Sequence, residues 1–100
     1  MRFLDANIFV RYLAGDDPQK SEACRRLWQL IDQGQEVATT SEVVIAEVCY
    51  VLSSSRLYHL GHEEVAARLR PLISLPGLKL AHKRSYLRAL DLYAACIPGF

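Results

Sequence analysis

The chain reads as a single α/β domain built on a parallel sheet. Short apolar or β-branched runs alternate with longer stretches of helical periodicity, and the connectors between them are too short to mark a domain boundary. At 100 residues there is enough chain for one core and not for two. Parallel neighbours need a crossover, and helices are the usual ones. The composition agrees: 51% hydrophobic residues, 23% charged residues and a mean hydropathy of +0.06 describe a compact soluble protein rather than a disordered one.

Arg2 to Leu4 is expected to form a short buried strand, after which Asn7 caps a helix over about Ile8 to Ala14 that Gly15 closes. Asp16-Asp17-Pro18 makes a turn. Pro18 suits the first turn of a helix reaching about Asp32, whose apolar members Ala23, Leu27, Leu30 and Ile31 recur at helical spacing. Gly34 breaks that pattern, and Glu36 to Thr40, with β-branched residues, is the second strand. Ser41 caps a third helix running to about Ser55, apolar almost all round from Val43 to Leu52 and therefore expected to be deeply packed. The stretch SSSRLYHLGH is a connector, and a helix from about Glu63 to Ile73 turns Val65, Ala66, Leu69 and Leu72 inward. Pro76-Gly77 turns the chain, Leu78 to Ala81 forms the third strand, and Tyr86 to Cys96 the last helix.

Several function classes lose ground at once. A formal net charge of +1 creates no global basic field, so charge argues neither for nor against nucleic acid. Cys24, Cys49 and Cys96 are widely spaced without a C-x-x-C, which reads as small core residues in a reducing compartment. An acid at position 5 interrupts any signal-peptide core, and the longest nearly uncharged run, Val43 to Ser55, is too short to span a membrane and holds Glu47. A cytoplasmic protein with no membrane partner is expected. A helix-turn-helix around Gly61 is disfavoured, because the helix after Ser41 is too apolar to cross a phosphate backbone.

Two carboxylates stand out. Asp5 falls at the carboxyl end of the first strand, where ligands collect in parallel α/β sheets. Glu47 is the one charge between Val43 and Leu52, in a helix that leaves the second strand at the same edge. If they converge, each raises the cost of ionising the other unless a cation intervenes. A hard divalent ion such as Mg2+ resolves both anomalies and brings the chemistry of phosphodiester hydrolysis, with Asn7 and Ser41 as neutral groups orienting carboxylates or waters. Taken singly, Asp5 also fits a capping acid, Glu47 a residue of the solvent stripe, and Asn7 and Ser41 plain caps. His59 and His62 flank Gly61 without an acid or cysteine partner and read as exposed loop histidines. The run Arg68, Arg70, His82, Lys83, Arg84 and Arg88 is either a phosphate-contacting face or, more simply, a solvated one.

LDANIFVRYLAGDDP, taken with TTSEVVIAEVCYVL and PGLKLA…ALDLYA, resembles the amino-terminal part of PIN-domain ribonucleases, especially the VapC-like toxins of type II toxin–antitoxin pairs. The D-x-N at Asp5 and Asn7, the spacing from Ser41 to Glu47 and the order of the blocks carry the likeness. It implies a three-layer α/β/α sandwich and a metal-dependent endoribonuclease. Its acidic cleft would hold Mg2+ or Mn2+, its substrate would be RNA, and a cognate antitoxin would restrain it. By position, Asp5 and Glu47 correspond to the metal-holding, catalytic acids, and Asn7 and Ser41 to their polar supports; such proteins usually form homodimers. The sheet order implied is 3-2-1-4-5. Family members supply further cleft aspartates after the segment resembling ALDLYA, and this sequence ends at Phe100 before any such motif. The 1–100 domain is therefore expected to lack the C-terminal part of the family fold, leaving the edge of the first strand unpaired. Asp91, within the last helix, fits a surface residue better than a substitute. The alternative function is a catalytically inactive remnant acting as a protein-interaction module.

Overall fold

The computed structural model describes residues 1–15 and 18–95. The turn expected at Asp16-Asp17, Cys96 and the segment from Ile97 to Phe100 lie outside the described residues. The elements are β1 (Arg2–Phe3), α1 (Ala6–Ala14), α2 (Pro18–Asp32), β2 (Ala38–Thr39), α3 (Glu42–Ser53), α4 (His62–Ile73) and α5 (Lys83–Ala94). The α/β class and the parallel sheet hold.

β1 and β2 pair in parallel, Arg2 opposite Ala38 and Phe3 opposite Thr39. Leu78 bridges Ala38 from the other side, also in parallel, so β2 lies between β1 and the third strand position, as an order beginning 3-2-1 requires. That third strand is only this bridge. The Lys79 amide donates to the Ala38 carbonyl, but the chain then turns through Ala81 and His82, where φ reaches +57°, and α5 starts earlier than its apolar pattern suggests. Among the described residues β1 has a strand neighbour on one side.

The cap of α1 is Asp5 and not Asn7. β1 ends at Phe3, so Asp5 takes the extended cap conformation (φ −87°, ψ 176°), and its Oδ1 accepts the Ile8 amide at 3.3 Å. Asn7 is left exposed within the first turn. At the other end Gly15 adopts a left-handed φ of +65° and its amide returns to the Arg11 carbonyl. Arg68 of α4 reaches across to donate to the Leu13 carbonyl at 2.8 Å, satisfying a group that the helix cannot.

In α2 the inward residues are Cys24, Trp28 and Ile31, with Leu27 partly buried, whereas Ala23 and Leu30 point outward. Trp28 sets this rotation. Its ring meets Phe9 edge-on at 5.0 Å and its Nε1 donates to the Ile8 carbonyl at 3.4 Å. Where α2 ends, Gly77 closes the packing: a Cβ there would lie 2.2 Å from the Ile31 carbonyl oxygen and 2.8 Å from that of Glu36.

α3 is less deeply packed than its composition suggests. Ile45, Val48 and Leu52 are buried, but Val43 is 79% and Tyr50 74% exposed, because an apolar helix at the margin of a small domain still presents one face outward. His62 also departs from expectation. It is the first residue of α4, partly buried, and stacks on Tyr93 of α5 at 4.1 Å, whereas His59 does lie exposed in the connector. Cys24 is buried and Cys49 partly so, in keeping with core roles.

Candidate functional site

The carboxyl edge of the sheet is fastened by side chains as well as by backbone. The Leu4 amide donates to the Thr39 carbonyl at 2.9 Å, and the buried Thr40 hydroxyl donates to the Leu4 carbonyl at 2.8 Å. Asp5 and Ser41 are the next residues of the two tied strands. Each caps a helix: Asp5 holds the start of α1, and the Ser41 hydroxyl accepts the Val44 amide of α3 at 3.2 Å. α1 and α3 then pack against each other, so both helices leave one edge together.

Asp5, Asn7 and Glu47 are exposed and Ser41 is half-buried. At 100° per residue, Glu47 borders the partly buried Val44–Val51 stripe, on the opposite flank of α3 from Cys49 and Ser53. Cys49 and Ser53 line a groove of about 890 Å³ beside α5, with which Glu47 has no part.

Four acids among the described residues are neutralised. Glu36 pairs with Arg2 at 3.1 Å, Glu22 with Arg25 at 2.5 Å, Glu64 with Arg68 at 2.8 Å, and Asp91 with Arg70. Asp91 is thus an exposed partner in a bridge between α4 and α5, as a surface residue should be. Among the described residues, neither Asp5 nor Glu47 has a basic side chain within ion-pair distance. Burial pushes the Cys24 thiol up, the Arg11 charge pulls it back and the Asp5 carboxylate adds to the rise, which places Asp5 within electrostatic reach of α2.

Two residues of this edge escaped the sequence reading. Thr40 is the buried polar residue of β2's inner row, alternating with Ala38, and a polar group in that row was the available signal. Glu42 is an exposed acid in the first turn of α3; after burial, its charge is what holds the Tyr86 phenol up. Half of the basic run is structural. Arg68 and Arg70 hold acids and carbonyls, and Lys83 donates to the Leu75 carbonyl at 2.7 Å. Partial burial, reinforced by Lys79, pulls the Lys83 ammonium down.

The donor set suits a hard cation. Among the described residues no group of three or more His, Cys, Asp or Glu is gathered as a closed metal cage. Mg2+-like ions need no such cage, since they keep several waters and take one or two carboxylates plus substrate phosphate. Two acids without cationic partners fit that demand.

The model of the PIN domain matches residues 2–96, nearly the whole length. The chain belongs to the PIN-domain family. Searches of curated proteins and of solved structures returned no significant match. PIN domains are in general nucleases that use divalent metal ions, and the oxygen-only donors at the carboxyl edge of this PIN domain are of the matching kind. No helix among its described residues is long and apolar enough to cross a membrane.

Proposed function

We propose that this PIN domain is a metal-dependent endoribonuclease of the VapC type, the toxin of a toxin–antitoxin pair, hydrolysing RNA with Mg2+ or Mn2+ under the restraint of a cognate antitoxin. One observation carries the reading. Asp5 and Glu47 stand at the start of α1 and within the adjoining α3, helices whose starts are tied through Leu4 and Thr40, and among the described residues neither has an ion-pair partner.

In this reading Asp5 and Glu47 converge to hold the ion. Once bound, the metal would polarise a phosphoryl oxygen and lower the pKa of a water. Asp5 offers Oδ2, because Oδ1 is occupied by the Ile8 amide. The Ser41 hydroxyl accepts from Val44 and keeps its own proton to donate toward a carboxylate or phosphate oxygen. Asn7, exposed in the first turn of α1, supplies an amide that orients substrate or water on the same edge. The positive ends of α1 and α3 favour the phosphate's negative charge there.

Calorimetry with Mn2+ tests the proposal: the chain should give a binding heat that Asp5→Asn and Glu47→Gln each lose, together with cleavage of single-stranded RNA. An unmodified chain that binds no Mn2+ overturns it in favour of a PIN-domain interaction module. That second reading rests on the groove between α3 and α5, where Val43, Ala46, Tyr50 and Tyr86 offer an apolar surface. In both readings we assign this groove to a homodimer contact, since Val43 and Tyr50 of α3 line it while largely exposed, and a two-fold axis would set that apolar wall against the same wall of a second copy.

A further inference from the structure

Two consecutive hydroxyls at the end of β2 clasp the strands on either side. Thr39 Oγ1 donates to the Lys79 carbonyl at 2.6 Å, and Thr40 Oγ1 donates to the Leu4 carbonyl at 2.8 Å. Their surroundings differ. Thr40 is buried, 8% exposed, and the carbonyl it holds belongs to the peptide unit that leads into Asp5. Leu4 itself is 1% exposed, so its carbonyl has little access to water as a substitute partner. Among the described residues Asp5 has no basic partner to fix it; its side chain is oriented by a 3.3 Å bond from the Ile8 amide, and its backbone by the strand end that precedes it.

We infer that Thr40 is a positioning residue for Asp5: its hydroxyl fixes the Leu4–Asp5 peptide and through it the direction in which the Asp5 carboxylate faces. The inference rests on the proposed metal role of Asp5, and it assigns to the buried edge of β2 the support that a ligating carboxylate needs from outside its own contacts. Thr40 touches neither substrate nor metal. The Thr39 hydroxyl, one residue earlier, performs the same chemistry on the opposite neighbour and does not reach Leu4 or Asp5; Thr39 meets Leu4 through its backbone carbonyl alone, which a substitution of its side chain keeps.

Thr40→Val removes the hydroxyl and keeps the shape; Thr40→Ser keeps the hydroxyl; Thr39→Val removes a hydroxyl of the same strand end. Two quantities are read on each full chain, amide hydrogen exchange at Ile8, which reports the Asp5 cap, and the Kd for Mn2+ alone. Thr40→Val should speed Ile8 exchange about tenfold and weaken Mn2+ binding about tenfold, while Thr40→Ser and Thr39→Val stay near the unsubstituted chain in both. Ile8 exchange unchanged in Thr40→Val, or changed equally in Thr39→Val, overturns the inference. If Thr40→Val does not fold, Thr40→Ser decides, because faster exchange at Ile8 despite a retained hydroxyl would show that packing and not the hydrogen bond orients Asp5. Faster Ile8 exchange in Thr40→Val, with no Mn2+ binding even by the unsubstituted chain, upholds the positioning role and removes the metal reading instead.

Discussion

Asp5 does two jobs with one side chain, and substitution separates them. Asn is as good a cap as Asp, so Asp5→Asn should leave thermal stability nearly unchanged while abolishing Mn2+ binding. Asp5→Ala should lose the binding and also about 1 kcal/mol of stability, measured by urea unfolding. The difference between the two variants isolates the charge. Cys49 supports a second measurement. Burial pushes its thiol up to about 11, from an unfolded value near 9. A raised thiol adds stability that is whole below the unfolded value and lost as pH climbs through the folded one. Cys49→Ala should therefore remove an alkaline loss of stability between about pH 9 and 11, followed by melting curves against pH. At this scale the candidate acids were legible, since a charge within an apolar run is costly enough to demand a reason. The cap was not. Asp5 and Asn7 are both good caps, and only the length of β1, set by pairing with a distant strand, chooses between them.

Elements here are defined by close approaches that single side chains permit or forbid. The end of α2 lies so near the turn before Leu78 that Gly77→Ala would drive a Cβ into two backbone carbonyls, which cannot swing aside as a side chain would. A loss of about 1–3 kcal/mol or more is expected in chemical unfolding. Gly15→Ala, at a φ of +65° with open space around it, should cost about 1 kcal/mol from backbone conformation alone. Trp28→Ala removes the ring that docks α2 on Phe9 and should cost about 3–5 kcal/mol by the same measurement. Periodicity predicted the extent of α2 well and set Ile31 and, in part, Leu27 inward, yet missed Cys24 and Trp28. Ala23 and Leu30 satisfy a helical repeat, but burial follows the largest ring, and the sequence near α2 does not say where Phe9 will be. The third strand failed for a related reason. Leu78 to Ala81 has strand composition, and a strand also needs neighbours along its length; pairing with β2 ends at Lys79.

The whole chain has a radius of gyration of 13.1 Å, the value expected of a compact domain of this length. It nevertheless leaves Val43 and Tyr50 on one wall of the α3–α5 groove largely in water. If that groove is the homodimer contact, Tyr50→Arg should convert a dimer to a monomer in sedimentation equilibrium while Mn2+ binding, seated on the other flank of α3, persists. Alternation of strand and helix made the domain class legible, because crossover geometry is a global rule. The groove was not, since the place of α5 rests on contacts such as His62 of α4 on Tyr93 and the Tyr93 hydroxyl on the Cys49 carbonyl of α3, which join residues far apart in the chain.

Arg68 completes the end of α1 from 55 positions downstream. A ribosome adding roughly 5–20 residues per second needs several seconds to supply that guanidinium. Until then the Leu13 carbonyl must be left to solvent, so on the nascent chain the first helix stays frayed beside Gly15 and gains its final turn only when the fourth has been made.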